Sequence, residues 1–98
     1  MRSKRISGRQ ALDWGIATEC VQDTKLEAAT DILVEELLVL SPLAQRTAKK
    51  LLNDTEDATL SLALELEGQC YSRLRQSEDF REGVEAFQAK RPAKFQGT

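Results

Sequence analysis

Apolar residues recur at three- and four-residue steps through most of the chain, which is the spacing of one face of an α-helix. The longest such series follows Thr24 and comprises Leu26, Ala29, Ile32, Leu33, Leu37 and Leu40. Val34, Leu38 and Val39 widen this apolar arc beyond a single stripe. We therefore expect this helix either to lie between two partners or to line an assembly interface.

The N-terminal part of the chain predicts a short helix followed by an extended segment. Ser7 and Gln10 form a capping box, and Gly15 suits the left-handed conformation that often ends a helix. Residues 16–21 alternate weakly and include β-branched side chains, so they are predicted to be extended, with any strand partner elsewhere. A second capping box over residues 24–27 predicts the start of the second helix.

Three further helices are predicted downstream, each from a capping residue and an apolar face. They are expected to begin after Ser41, after Thr55 or Asp57, and after Ser77, and to end near Asp54, Arg75 and Arg91. The predicted fold class is therefore all-α, with about five helices and one short orphan extended segment.

Composition supports the helical prediction and excludes several functions. The 98 residues hold 14 leucines and 11 alanines against four valines and three isoleucines, which favours helices over strands. No uncharged apolar run approaches the roughly 20 residues of a membrane span, so no membrane association is expected. The chain has no histidine, which excludes histidine triads and histidine metal sites, and no metal site is expected.

Charge is unevenly distributed. Residues 1–9 and 88–98 are basic without acids, whereas residues 10–87 hold all 16 acids. Basic ends can attract phosphate, but solvated termini are an equal alternative. Because the acidic body would repel a phosphate backbone, we do not expect nucleic-acid binding.

Four single residues carry further expectations. Cys20 and Cys70 are expected to be reduced, buried thiols. Glu67 falls on the apolar side of the fourth helix, so we expect it to be paired with an arginine or a helix N-terminus; a catalytic role is the weaker alternative. Gly83 lies within the fifth helix, where a glycine usually allows the close approach of another backbone or of a ligand.

Several short motifs occur in one order across nearly the whole chain: Ala11-x-x-x-Gly15, Ser41-Pro42-Leu43-Ala44 with Lys49, Leu64-Glu65-Leu66-Glu67, Ser77-x-Asp79-x-x-Glu82-Gly83-x-x-Ala86-Phe87, and Lys90 to Phe95. Together they resemble the C-terminal segment of the enoyl-CoA hydratase/isomerase (crotonase) family. The resemblance implies that residues 1–98 are a single C-terminal helical domain of a longer chain, whose upstream β-β-α spiral is absent here.

The resemblance also implies how function is divided. In the family, the upstream part supplies the oxyanion hole and the acid/base glutamates, so no catalytic residue is expected in this segment, and the segment alone is expected to be inactive. The parent would be a cytoplasmic enzyme acting on acyl-CoA thioesters; whether as hydratase, isomerase, hydrolase or dehalogenase stays open. Coenzyme A would be part of the substrate, and no separate cofactor is expected.

The family's C-terminal helices pack subunits into trimers or hexamers and cover the acyl-CoA pocket. Phe87 and Lys90 match a Phe-x-x-Lys motif that contacts the adenine and phosphates of coenzyme A, in some members those bound by a neighbouring subunit. The alternatives are a core position for Phe87 and a solvated helix-end cation for Lys90. For the chain as a whole, the alternative is a stand-alone helical protein-interaction module without catalysis.

Overall fold

Five α-helices and one 3₁₀ turn make up the regular structure of the computed structural model, which describes residues 3–98. In chain order they are α1 (Gly8–Asp13), the 3₁₀ turn (Asp23–Lys25), α2 (Leu26–Leu38), α3 (Pro42–Asp54), α4 (Leu60–Leu74) and α5 (Glu78–Gln88). The all-α prediction is confirmed. No strand occurs between residues 3 and 98, and the predicted extended segment 16–21 is irregular backbone. Met1 and Arg2, the start of the basic N-terminal stretch, lie outside the described residues.

Three predicted helix signals are formed as expected. The Ser7 hydroxyl accepts the Gln10 N–H at 3.2 Å, and the Gln10 side chain accepts the Ser7 N–H at 3.0 Å, which completes the first capping box. Gly15 adopts the left-handed conformation, with φ of 72°. Ser41 caps α3 by accepting the Ala44 N–H at 3.1 Å.

The predicted starts of α2 and α4 were wrong. Thr24 lies inside the 3₁₀ turn and not in the extended conformation of an N-cap, so the second capping box does not form. The Thr55 hydroxyl donates to the Leu51 carbonyl at 2.8 Å and so serves the end of α3. Thr59 caps α4 instead, accepting the Leu62 N–H at 3.3 Å.

The chain forms two compact units, one ending at Val34 and the other spanning Glu35–Thr98. In the first unit, the Cys20 side chain packs closely against Gly8 in α1, since a Cβ added to Gly8 would lie only 3.0 Å from the Cys20 sulfur. In the second unit, α3 packs against α4. That residues 1–98 are one domain of a longer chain stays a prediction.

Two expectations about single side chains were wrong. Cys20 and Cys70 are free thiols, but neither is buried. Cys20 is exposed, because the loop that holds it is not covered, and Cys70 is half-buried. Glu67 is exposed on α4, since the apolar side of that helix is itself largely open to solvent, and it is therefore no buried pair.

Very little of the described chain is enclosed. Within residues 3–98, only Ala86 and Asp79 are buried. By contrast, Leu38 and Val39 at the end of α2 are 77% and 68% exposed. Contiguous apolar surface of this kind usually marks an interface, so the helices present faces suited to cover by other protein. None of the described helices is long and apolar enough to cross a bilayer.

Candidate functional site

The end of α5 is a tight turn that fixes the backbone of Lys90. The Lys90 N–H donates to the Phe87 carbonyl at 3.2 Å, and the Arg91 N–H donates to the Ala86 carbonyl at 3.0 Å. This pair of hydrogen bonds is a Schellman motif, and residues 86–91 are called the Lys90 turn below. Because the motif requires a left-handed residue, α5 ends three residues before the predicted position at Arg91.

Lys90 occupies the left-handed position of this turn, with φ of 52°. Glycine normally fills that position, because a side chain there costs about 1–2 kcal/mol. Lys90 is the one non-glycine residue with positive φ in the described part of the chain. Its side chain is exposed at the helix C-terminus. A strained residue that is held in place by hydrogen bonds and presents a free cation is typical of a binding position.

Phe87 lies in the same turn, and its side chain is 86% exposed. Within the described residues Phe87 is therefore not a core residue, and the choice between a core position and a ligand contact in the longer enzyme stays a prediction. Its ring borders an open apolar groove of about 520 Å³ in the second unit. The groove is lined largely by Tyr71, Leu74, Phe80, Val84, Phe87 and Phe95. Phe87 and Lys90 thus present an aromatic ring and a cation from one helix end.

A bidentate ion pair adjoins the turn. The Glu82 carboxylate accepts from Arg91 Nη1 at 2.6 Å and from Arg91 Nη2 at 2.9 Å. The backbone N–H of Lys94 also donates to Glu82 Oε1, at 2.7 Å. The hydrogen bonds from Arg91 and then from Lys94 lower the pKa of Glu82 to about 2, and the same pairing raises the pKa of Arg91. Both groups are therefore charged at neutral pH.

Residues 92–97, called the C-terminal strap, run back over α5 and are tied down by Asp79. The buried carboxylate accepts the N–H groups of Gln96 at 2.8 Å and Gly97 at 3.0 Å, and the Ser41 hydroxyl at 2.6 Å. Burial by itself raises the pKa of Asp79, but these hydrogen bonds, led by that from Ser41, leave it below its usual value. The Arg46 guanidinium adds a hydrogen bond of 3.1 Å to the Gly97 carbonyl.

The aromatic ring of Phe95 in the strap packs over Gly83. A Cβ added at Gly83 would lie 3.5 Å from Cε1 of that ring. The group that faces this glycine is thus a side chain of the same chain at ordinary contact distance, and not another backbone as predicted. The contact leaves Phe95 half-buried.

Sequence reasoning identified the Ser77–Phe87 motif but missed what Asp79 and Glu82 do in it. Each acid holds the segment that follows the helix: Asp79 the strap and Glu82 the Lys90 turn. A usable signal was the spacing of two acids on one side of α5, followed within 12 residues by Arg91 and Lys94. Contacts of this range are set by the path of the strap, which no local pattern specifies.

Comparison with known proteins decides the family. The family model described as enoyl-CoA hydratase/isomerase matches residues 1–98. The chain belongs to this family. The resemblance inferred from the sequence motifs is therefore confirmed.

Individual relatives agree with this assignment. The chain is 36% identical over 94 residues to 1,2-epoxyphenylacetyl-CoA isomerase of Escherichia coli (strain K12), a match that covers 95% of this chain and 36% of that protein. It is 32% identical to 2,3-dehydroadipyl-CoA hydratase of the same organism, covering 99% of this chain and 38% of the relative. Among solved structures, an enoyl-CoA hydratase from Bacillus anthracis superposes with a TM-score of 0.92 at 28% identity, covering 97% of this chain and 37% of that one.

The chain therefore spans less than two fifths of the length of these relatives. Its fold is that of one segment of crotonase-fold proteins.

Proposed function

We propose that this enoyl-CoA hydratase/isomerase family chain acts as the C-terminal oligomerisation and pocket-covering segment of an enzyme that uses acyl-CoA thioesters. The observation that carries the proposal is the Lys90 turn, which presents an exposed cation and an exposed aromatic ring from one helix end. Coenzyme A offers phosphates for the cation and an adenine for the ring. A lysine ammonium is a good point-charge partner for phosphate.

The exposed apolar surface supports the oligomerisation part of the proposal. Leu38 and Val39 are exposed at the end of α2, in the arc that also holds Val34. Subunits that pack in closed trimers or paired trimers would cover such faces on every copy. In this arrangement the Lys90 turn reaches coenzyme A held by its own or a neighbouring subunit.

The reading frame that surrounds this segment separates the two candidate functions. We expect an upstream coding region for a β-β-α spiral, with which the purified protein turns over acyl-CoA substrates. The 98-residue chain alone is expected to be inactive on crotonyl-CoA, because the oxyanion hole and acid/base pair of the family lie upstream. A ribosome-binding site directly before Met1, with an inert product, would instead favour the stand-alone interaction module. The exposed apolar arc of α2 supports this alternative, because a binding partner could cover it.

Substitution of Lys90 in the full-length enzyme tests the coenzyme A contact. A partly solvated ion pair contributes up to ~1 kcal/mol and charge reversal about doubles that, so Lys90→Glu should raise KM about 5- to 30-fold. The contact is remote from the reacting carbons, so kcat should change little. The effect should shrink in high salt and vanish with a pantetheine thioester, which lacks the nucleotide phosphates. An unchanged KM in a folded oligomer would overturn the contact and leave Lys90 a solvated cation.

A further inference from the structure

We infer that Glu82 is a positioning residue for Lys90, holding the Lys90 turn in the geometry that presents the lysine to the nucleotide end of coenzyme A. The inference rests on the proposed function and adds to it a residue that does not touch the ligand. It is carried by the juxtaposition of a strained lysine and a bidentate ion pair on the next residue.

The strain at Lys90 calls for an opposing restraint. A lysine at φ of 52° tends to relax towards the right-handed region, which would open the turn and redirect the side chain. Two backbone hydrogen bonds oppose this, and the second of them is donated by Arg91. Any restraint on Arg91 therefore acts directly on the turn that sets the direction of Lys90.

Glu82 supplies that restraint at the last residue of the Lys90 turn and again just beyond it. Its two carboxylate oxygens accept the guanidinium of Arg91 in a fork, which fixes orientation as well as distance. Its Oε1 also accepts the Lys94 N–H, so the chain is held on the far side of Pro92 as well. Glu82 itself lies in the middle of α5, about two helical turns before Lys90, so its backbone is fixed by the helix.

The chemistry of Glu82 makes a direct ligand role unsuitable. Its carboxylate would repel the phosphates of coenzyme A, and both of its oxygens already accept hydrogen bonds, Oε1 from Arg91 and Lys94 and Oε2 from Arg91. Pairing with Glu82 also partly neutralises Arg91, which leaves Lys90 as the free cation of the turn. The pair thus both orients Lys90 and directs phosphate to it.

The test is a double-mutant cycle in the full-length enzyme, with KM and kcat measured for an acyl-CoA and for the matching pantetheine thioester. Glu82→Gln removes the charged fork but keeps the shape of the side chain, and Arg91→Lys keeps the charge but removes the fork. Since only part of a partly exposed ion pair is lost, each should raise KM for the acyl-CoA about 2- to 5-fold with little change in kcat. Neither should alter KM for the pantetheine thioester. Glu78→Gln, which removes an exposed ion pair with Arg81 on the same helix, is the control and should leave KM unchanged.

The Lys90→Met background separates positioning from general stability. If Glu82 acts through Lys90, Glu82→Gln should have no further effect on KM once Lys90 is replaced. The same KM rise in both backgrounds, or a fall in kcat for both thioesters, would overturn the inference and assign Glu82 a structural role. If Lys90→Met itself leaves KM unchanged, the proposed coenzyme A contact fails first. If Lys90→Met raises KM but Glu82→Gln does not, only the positioning inference fails.

Discussion

The Ser41 hydroxyl donates a hydrogen bond of 2.6 Å to Asp79 Oδ2, joining two residues 38 positions apart. The same hydroxyl accepts the Ala44 N–H and so caps α3. One side chain therefore both starts a helix and satisfies the buried carboxylate that holds the C-terminal strap. This link, more than any enclosed core, ties α3, α5 and the strap into one unit.

Replacing Ser41 should cost more stability than replacing an ordinary cap. Ser41→Ala removes the cap, which costs about 1 kcal/mol, and leaves Asp79 buried with one hydrogen bond fewer. We expect Tm to fall by more than the 4–8 °C that a loss of about 1 kcal/mol causes in a domain of this size, because the weakened Asp79 site adds to the lost cap. Ser77→Ala, which removes the cap of α5 without a long-range partner, is the matched control. Equal Tm losses in thermal denaturation would mean that the bond to Asp79 adds nothing.

Stability should fall in acid through Glu82. Its pKa is lowered to about 2 in the folded chain, so the folded state favours the charged carboxylate. This contribution is fully present above the ordinary pKa of a glutamate and is lost as the pH falls towards about 2. The lowered pKa of Asp79 acts in the same direction.

Urea denaturation of the unmodified 98-residue chain and of its Glu82→Gln variant between pH 7 and pH 2.5 measures this effect. We expect the variant to be less stable at pH 7 and the gap to narrow as the pH falls below about 5. A gap that is constant with pH would contradict the assignment of the lowered pKa to the ion pair with Arg91.

Gly83→Ala should stabilise the chain. Glycine in a helix interior costs up to about 1 kcal/mol relative to alanine, and the added methyl would stand at ordinary contact distance, 3.5 Å, from the Phe95 ring. Gly68→Ala on α4 is the control, because a Cβ there meets no atom within 4 Å. The two gains, measured by chemical denaturation, should be similar. A loss at Gly83 alone would show that the ring of Phe95 cannot yield even slightly and that the glycine is required for its packing.

Local signals predicted the helices, and long-range contacts set the details that local signals could not supply. Ser7, Ser41 and Ser77 were predicted as caps because a cap is made within four residues. Thr24 carried the same signal but does not cap a helix, since it is part of the 3₁₀ turn that precedes α2 and its backbone is not extended. The exposure of Glu67 was not predictable from its helical face, because that face is apolar without being covered.

The candidate site was predicted in part. Phe87 and Lys90 were identified from the family motif, and both lie in the turn that ends α5. The left-handed backbone of Lys90 was not foreseen, because lysine is an unusual residue for that conformation. The partners of Asp79 and Glu82 depend on the return of the strap across α5, which is a property of the tertiary fold.

The exposed arc of α2 should make the 98-residue chain self-associate or bind a hydrophobic dye. Leu38 is 77% exposed and lies beside Val39 in the apolar arc. Leu38→Lys should reduce both properties, as judged by sedimentation at rising concentration and by dye fluorescence. Leu52→Lys, at a position 71% exposed on α3 and outside this arc, is the control. If the unmodified 98-residue chain stays monomeric and binds no dye, the basis for an interface on α2 is removed.

Lys90→Gly should increase stability while it impairs the proposed binding, a combination that separates a functional lysine from a structural one. Glycine adopts φ of 52° without the steric cost that lysine bears, so the folded chain should gain about 1 kcal/mol, less the entropy that glycine adds to the unfolded state. In the full-length enzyme the lost cation should raise KM for acyl-CoA up to about 5-fold and leave kcat near the parent value. Lys90→Ala is the matched control, because it removes the same charge but keeps the strain, and should raise KM without the gain in stability. Chemical denaturation and steady-state kinetics on the three proteins measure both quantities. If Lys90→Gly is more stable and has an unchanged KM, the strained lysine has no role in binding; if it is less stable, the side chain of Lys90 itself supports the turn.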